Sequence, residues 1–202
     1  MLRLRRALPA DGPACARIYA YYVENTPITF EYTAPDGAEF ARRIRHKSET
    51  YPFVAAEEDG RVVGYAYASE FRDRAAYAWS AELSVYVDPA CRGRGIGERL
   101  YRALLEFLTV QGFAWACGCI TDPNEASFAL HEKLGFTLAG KMRRVGFKSG
   151  QRLDIVFYEK QLGEGTAPRP VTPFSQLDDA ASAEILRRFG EACALGVNGR
   201  ST

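Results

Sequence analysis

The chain's most pointed chemistry lies in Arg92-Gly93-Arg94-Gly95-Ile96-Gly97. These residues follow an alternating apolar run, Glu82-Leu-Ser-Val-Tyr-Val-Asp88, and open a helical pattern from Gly95 to Gln111. A strand that enters a helix through a glycine-rich turn presents backbone N–H groups to a ligand, and the helix dipole adds partial positive charge there. Glycines let the backbone approach closely, and two arginines add formal charge. The stretch therefore reads as a loop for a phosphorylated cofactor. A dinucleotide fingerprint would require glycine where Glu98 stands, and a Walker loop would require Gly-Lys-Ser/Thr, which is absent. What remains is Arg-x-x-Gly-x-Gly on Arg92, Gly95 and Gly97. A plain connecting turn is the alternative, and three glycines beside two arginines weigh against it.

Proton-handling candidates lie on both sides of this loop. Glu82 begins the apolar strand amid Trp79, Leu83 and Val85, where burial would raise its pKa toward that of a useful base. Its alternative is an edge carboxylate paired with Arg72 or Arg74. His131 lies in Leu130-His-Glu-Lys-Leu-Gly-Phe136 and can shuttle a proton, or it can be a half-buried histidine bonded to a backbone carbonyl. His46 falls in the basic stretch Arg42–Lys47 and reads as solvated. Asn124 is placed to cap a helix with Ser127 one turn on; either side chain can instead bond amides of a ligand.

The elements that must position these groups alternate between strand and helix. Residues 2–8 read as a strand, and Asp11 as the cap of a helix carrying Ile18, Tyr19, Tyr22 and Val23. A polar helix spans about 36–50, and Phe53–Glu57 and Val62–Ser69 flank the hairpin signal Asp59-Gly60. A strand from about Ala76 to Val87 precedes the glycine loop. The helix after it aligns Ile96, Leu100, Leu104, Phe107 and Leu108 on one face. A strand at Phe113–Ile120, a helix at Asn124–Leu134 ended by Gly135, and strands near 137–145 and 153–160 joined through Gly146–Gly150 complete a mixed α/β domain of residues 1–162. From Gly163 the composition turns to Gly, Pro, Thr and Ser. Residues 163–202 read as a linker plus a docking or partner-contacting helix at Asp178–Ala194, outside that domain.

Composition excludes several classes. The 202 residues are 47% apolar, ample for one core, and 26 basic against 25 acidic residues leave a formal charge of +1. Nothing there favours nucleic acid as a partner. Five cysteines without C-x-x-C spacing suit a reducing, cytoplasmic location. Cys117 and Cys119 share a strand face and read as core or near-core thiols. No metal site is expected with only two histidines, and no apolar run is long enough for a membrane helix.

Several stretches together resemble the phosphinothricin N-acetyltransferase branch of the GNAT superfamily. They are Ile28-Thr-Phe-Glu31, Arg74-Ala-Ala-Tyr77-Ala-Trp79-Ser-Ala-Glu82, Ser84-Val-Tyr-Val87, Arg92–Gly97, Leu130–Phe136 and Gly146-Phe-Lys-Ser-Gly150, over roughly residues 2–160. The resemblance implies a GNAT fold whose central strands splay to admit a pantetheine arm, with acetyl-CoA as co-substrate. It implies direct acetyl transfer to the α-amine of a small amino-acid-like acceptor such as phosphinothricin or methionine sulfoximine. By the same resemblance Glu82 is the general base, directly or through water, and His131 a proton-handling group near the thiol. Val85, Tyr86 and Val87 contact the pantetheine, and Arg92, Gly93, Arg94, Gly95, Ile96 and Gly97 the pyrophosphate. Asn124 serves the cofactor arm, whose amides the side chain of Ser127 could also bond, and Phe30, Arg74 and Tyr77 the acceptor pocket. A homodimer is implied as well. Glu31 stands where the branch tends to carry a basic residue, and Gln151-Arg152 where it often carries an aromatic. Two other readings stay open: acetylation of a peptide N-terminus, polyamine or aminoglycoside, and a non-catalytic acyl-CoA-binding module.

Overall fold

The computed structural model describes residues 1–163 and 169–190. In chain order its elements are β1 (Leu2–Arg6), α1 (Gly12–Asn25), α2 (Gly37–Thr50), β2 (Phe53–Glu58), β3 (Arg61–Glu70), β4 (Ser80–Val87), α3 (Ile96–Gln111), β5 (Trp115–Asp122), α4 (Glu125–Lys133), β6 (Thr137–Lys148), β7 (Gln151–Gln161) and α5 (Asp179–Gly190). The strands form one seven-stranded sheet in the order β1-β2-β3-β4-β5-β7-β6. β4 and β5 run parallel, and the other neighbouring strands pair antiparallel. A parallel pair needs a crossover, and α3 supplies it.

Strand alternation divides the core into two layers. On one face α3 buries Ile96, Leu100, Leu104, Phe107 and Leu108 against Ala66, Ala68, Ala81, Leu83, Ala116 and Ile120. On the other, Ile18, Tyr19, Tyr22 and Val23 of α1 and Phe40 and Ile44 of α2 pack on Phe53, Val62 and Tyr65. At about 1.5–3 kcal/mol per large apolar side chain removed from water, these layers dominate the fold's stability.

Several expected details differ. Asp11 precedes α1 without capping it: its carboxylate accepts the Leu8 N–H at 2.8 Å and the Arg5 guanidinium at 2.7 and 2.8 Å. The segment before β4 is not strand from Ala76, because Ala75–Tyr77 forms a 3-10 turn. β5 begins at Trp115 rather than Phe113, whose side chain closes the core beneath α3. The β6–β7 turn is only Ser149-Gly150, so Gly146, Phe147 and Lys148 belong to β6.

Residues 169–190 run back along this domain. The Arg169 carbonyl accepts from the Trp79 indole at 2.6 Å, and the Gln111 side-chain amide donates to the Thr50 and Thr172 carbonyls at 2.7 and 2.8 Å. Phe174 packs edge-on against Phe107 at 5.1 Å, with the Arg6 guanidinium 4.5 Å from its centroid. Ile185 and Leu186 of α5 are buried with the α3 layer. Residues 191–194 of the expected helix lie outside the described residues.

Candidate active site

β4 and β5 are in register at Ser80–Trp115, Ala81–Ala116 and Glu82–Cys117 only. β4 then continues beside β3 to Val87, while β5 follows β7 to Asp122. The strands part into a wedge, and a cavity of about 520 Å³ fills it, lined by Leu83–Val87, Gly118–Thr121, the glycine loop and α4. The cavity passes through the sheet. Leu83 and Ile120 line it from the α3 face; Ser84, Tyr86, Cys119 and Thr121 alternate onto the α1/α2 face. This wedge also corrects the reading of the cysteines. Cys117 is half-buried and Cys119 exposed, because their face opens where β4 has left β5.

At one end of the cavity lies the glycine loop. Gly93 and Gly95 have φ of 73° and 75°, a left-handed conformation that strains any residue with a Cβ. Gly95 is the residue before α3 and offers no side chain to cap it. The first helical bond runs from Arg99 N to the Gly95 carbonyl at 3.1 Å, so the amides of Ile96, Gly97 and Glu98 have no intrahelical acceptor. Arg92 lines the cavity and stacks on Tyr21 and Tyr22 at 5.0 and 4.9 Å. Arg94 does not line it; its guanidinium grips Glu58 at 2.6 and 2.9 Å.

Along β4, side chains occupy part of the backbone that β5 vacates. The Tyr22 hydroxyl donates to the Val87 carbonyl at 2.7 Å and accepts the Val87 N–H at 3.2 Å. The Tyr101 hydroxyl lies 3.3 Å from the Leu83 carbonyl. Val85, two residues from each, turns its backbone the same way in an alternating ladder, toward the cleft. Tyr86 is opposite Tyr65 on β3.

Glu82 stands at the apex of the wedge, half-buried, on the α1/α2 face with Ser84 and Tyr67. Among the described residues it makes no hydrogen bond or ion pair; Arg72 and Lys47 act on it only through space. Burial raises its pKa above the ordinary value, and these two cations only partly oppose the shift.

His131 is on the opposite face and 1% exposed. Its Nδ1 lies 2.7 Å from the Ser127 carbonyl and therefore carries the proton, leaving Nε2 an acceptor 3.3 Å from the Tyr101 hydroxyl, whose one proton it shares with the Leu83 carbonyl. Burial lowers its pKa despite the Ser127 bond, so the ring is neutral near pH 7. The ring packs on Gly118, where a Cβ would collide with Nε2. Asn124 caps α4, its side chain accepting the Ser127 N–H at 3.3 Å; both residues line the cavity.

Glu82, Phe30, Arg74 and Tyr77 are outside this cavity lining, which begins on β4 at Leu83. The Phe30 ring lies on Gly146 of β6, and its loop is tied down by Lys148 Nζ on the Thr29 carbonyl at 2.7 Å and Thr121 on the Ile28 carbonyl at 3.1 Å. Tyr77 packs edge-on with Phe71 at 5.8 Å, and Arg74 is exposed at the start of the same 3-10 turn. Glu31 binds Arg43 at 2.8 and 3.2 Å.

Sequence reasoning missed Tyr22, Tyr101 and Lys47. Both tyrosines sit inside apolar helix stripes and read as core, and Lys47 merged into a basic surface run. The only sequence signal available was the hydroxyl each tyrosine carries into a layer otherwise apolar.

A wedge between parallel strands, with an open helix N-terminus at one end and a lone raised carboxylate at its apex, defines an α/β transferase cleft for a phosphorylated acyl carrier. The sequence profile of the acetyltransferase (GNAT) domain matches residues 4–157, and the chain belongs to that family. It is 34% identical to the phosphinothricin N-acetyltransferase of Streptomyces viridochromogenes over 87% of this chain and 96% of that one. It is also 34% identical to the L-methionine sulfoximine/L-methionine sulfone acetyltransferase of Salmonella typhimurium, over 83% and 98%. The crystal structure of a GNAT superfamily phosphinothricin acetyltransferase from Sinorhizobium meliloti, in complex with AcCoA, superposes with a TM-score of 0.81 at 42% identity, covering 86% of this chain and 97% of that one.

Proposed function

We propose that this chain transfers the acetyl group of acetyl-CoA directly to the α-amine of a small amino-acid-like acceptor of the phosphinothricin or methionine sulfoximine type. The observation that carries the reading is the wedge beyond Glu82–Cys117, with the open α3 N-terminus on one side and an unpaired carboxylate on the other. The relatives named for phosphinothricin and methionine sulfoximine, and the solved neighbour holding AcCoA, support the acceptor class and the co-substrate.

The residues divide the work by face. The amides of Ile96, Gly97 and Glu98, together with Arg92, receive the pyrophosphate, and the Val85 backbone receives the pantetheine amides. Asn124 and Ser127 border the same arm. Glu82 takes a proton from the acceptor ammonium, and the freed amine attacks the thioester carbonyl carbon. The tetrahedral intermediate collapses with loss of CoA thiolate on the face where His131 and Tyr101 meet, and the extra proton shed by the new amide nitrogen ends on the thiolate as CoA–SH. Arg74 and Tyr77 border the acceptor with Phe30.

A homodimer is supported by exposed Leu138, Met142, Val145 and Phe147 on the twelve-residue edge strand β6, a surface that an isolated chain would leave to water. A cytoplasmic location is supported by the four free cysteines among the described residues.

The test is release of CoA thiol from acetyl-CoA across phosphinothricin, methionine sulfoximine, methionine sulfone, a polyamine and a peptide N-terminus. Turnover confined to the amino-acid analogues is expected. Release on the other amines alone would discard the acceptor class.

A further inference from the structure

α2 carries Arg42, Arg43, Arg45 and Lys47, and all but one are accounted for. Arg42 and Arg43 both bind Glu39, Arg43 also binds Glu31, and Arg45 is exposed to solvent. Lys47 is different. It is half-buried, its Nζ lies 4.9 Å from the Tyr67 ring centroid, and among the described residues its ammonium has no hydrogen bond or ion pair. Tyr67 is opposite Ser84, and Ser69 opposite Glu82, so Tyr67 and Glu82 are diagonal neighbours on one sheet face. The ammonium therefore hangs over the surface that carries the proposed base. It is near enough for Glu82 to act on its ionisation, although burial and then Arg43 dominate and lower its pKa.

We infer that Lys47 is a specificity-determining residue, receiving a second anionic group on the side chain of an amino-acid acceptor whose amine lies at Glu82. The inference rests on the proposed function and deepens it. A half-desolvated ammonium without a counter-charge is costly, and an anionic ligand group offsets that cost. The Tyr67 ring covers one side of the ammonium and leaves its other N–H donors for a ligand. Arg72 and Arg74, on the segment after β3, remain for the α-carboxylate. An acceptor with a carboxylate, phosphinate or phosphonate side chain then meets cations at both ends and Glu82 between them.

Phosphinothricin and methionine sulfone give the cleanest probe, since their tetrahedral, methyl-bearing heads match in shape and differ by one negative charge. With acetyl-CoA as donor, the wild type is expected to show higher kcat/KM on phosphinothricin. Lys47→Met should lower kcat/KM on phosphinothricin on the order of tenfold more than on the sulfone. Lys47→Arg should keep the preference, and the KM for acetyl-CoA and the melting temperature report that each variant is folded. A wild type without preference, or a Lys47→Met loss equal on both acceptors, would overturn the role of Lys47 while leaving the acetyltransferase reading intact. Turnover of neither acceptor would overturn both.

Discussion

The Glu82 carboxylate and the His131 imidazole stand on opposite faces of the sheet, one residue apart along β5. Glu82 registers with Cys117, and the next residue, Gly118, carries the His131 ring. Because β4 and β5 separate just there, a thioester reaching the apex would meet the proposed base on one face and the His131–Tyr101 pair on the other. In the proposed reaction the sheet itself would keep the proton acceptor and the leaving group apart.

Glu82→Gln should lower kcat/KM near pH 7 by about a hundredfold, within the usual range for loss of a general base. Burial raises the Glu82 pKa. The base works only when ionised, so wild-type activity should fall as pH drops through that raised value, above the ordinary carboxylate range. The variant should lack this limb and recover partly at alkaline pH, where the amine sheds its own proton. Parallel pH–rate profiles for the two enzymes would remove Glu82 from the role.

Gly118→Ala should displace His131. The new methyl meets a ring held by Ser127 and Tyr101, so it has no easy retreat. A cost of about 1–3 kcal/mol in urea unfolding, with loss of turnover, is expected for such overpacking. Gly140→Ala is the control, since nothing stands within 4 Å of its added carbon. Equal stability of the two variants would mean that the ring is not fixed as described.

His131 should make stability depend on pH. Burial lowers its folded pKa, whereas in the unfolded chain it titrates near ~6.5. Below that value the unfolded state binds the extra proton, so stability falls with decreasing pH, by up to about 1.4 kcal/mol per unit until the folded pKa is reached. His131→Phe should flatten this part of the urea-midpoint profile between pH 5 and 7. An unchanged slope would assign it to other groups.

How far the chain could be read in advance depended on whether the information was local. The strand, glycine turn and helix of residues 82–111 were readable because period and turn chemistry lie within adjacent residues, and the Asn124 cap for the same reason. The point where β4 leaves β5 was not, since it depends on pairing between segments 35 residues apart, and with it went the exposure of Cys119. The ion pair of Arg94 with Glu58, a carboxylate 36 residues away, had no local signal either. Lys47 carried no signal within its own helix. Its meaning comes from Tyr67 and Glu82, brought beneath it by the β3–β4 hairpin.

Asp88 offers a test of the cofactor loop without touching a proposed ligand. It follows β4 directly and is 4% exposed, and its carboxylate binds Arg17 at 2.9 Å, Arg61 at 2.7 Å and the Ala90 N–H at 3.1 Å. Burial pushes its pKa up, but Arg17, the Ala90 N–H and Arg61 outweigh it and hold the pKa below the ordinary value. Its stabilisation is present at neutral pH and is lost as pH falls through that lowered value. Asp88→Asn keeps the size and one acceptor for Ala90 but removes the charge. Both arginines are about half exposed, at 48% and 60%, so solvent screening limits the expected stability loss to about 1–2 kcal/mol. The strand-to-loop junction should loosen with it, raising the KM for acetyl-CoA several-fold while kcat changes little. A fall in kcat at constant acetyl-CoA KM would instead place the effect of Asp88 at the chemistry, because the loop would then be holding its shape without the buried charge.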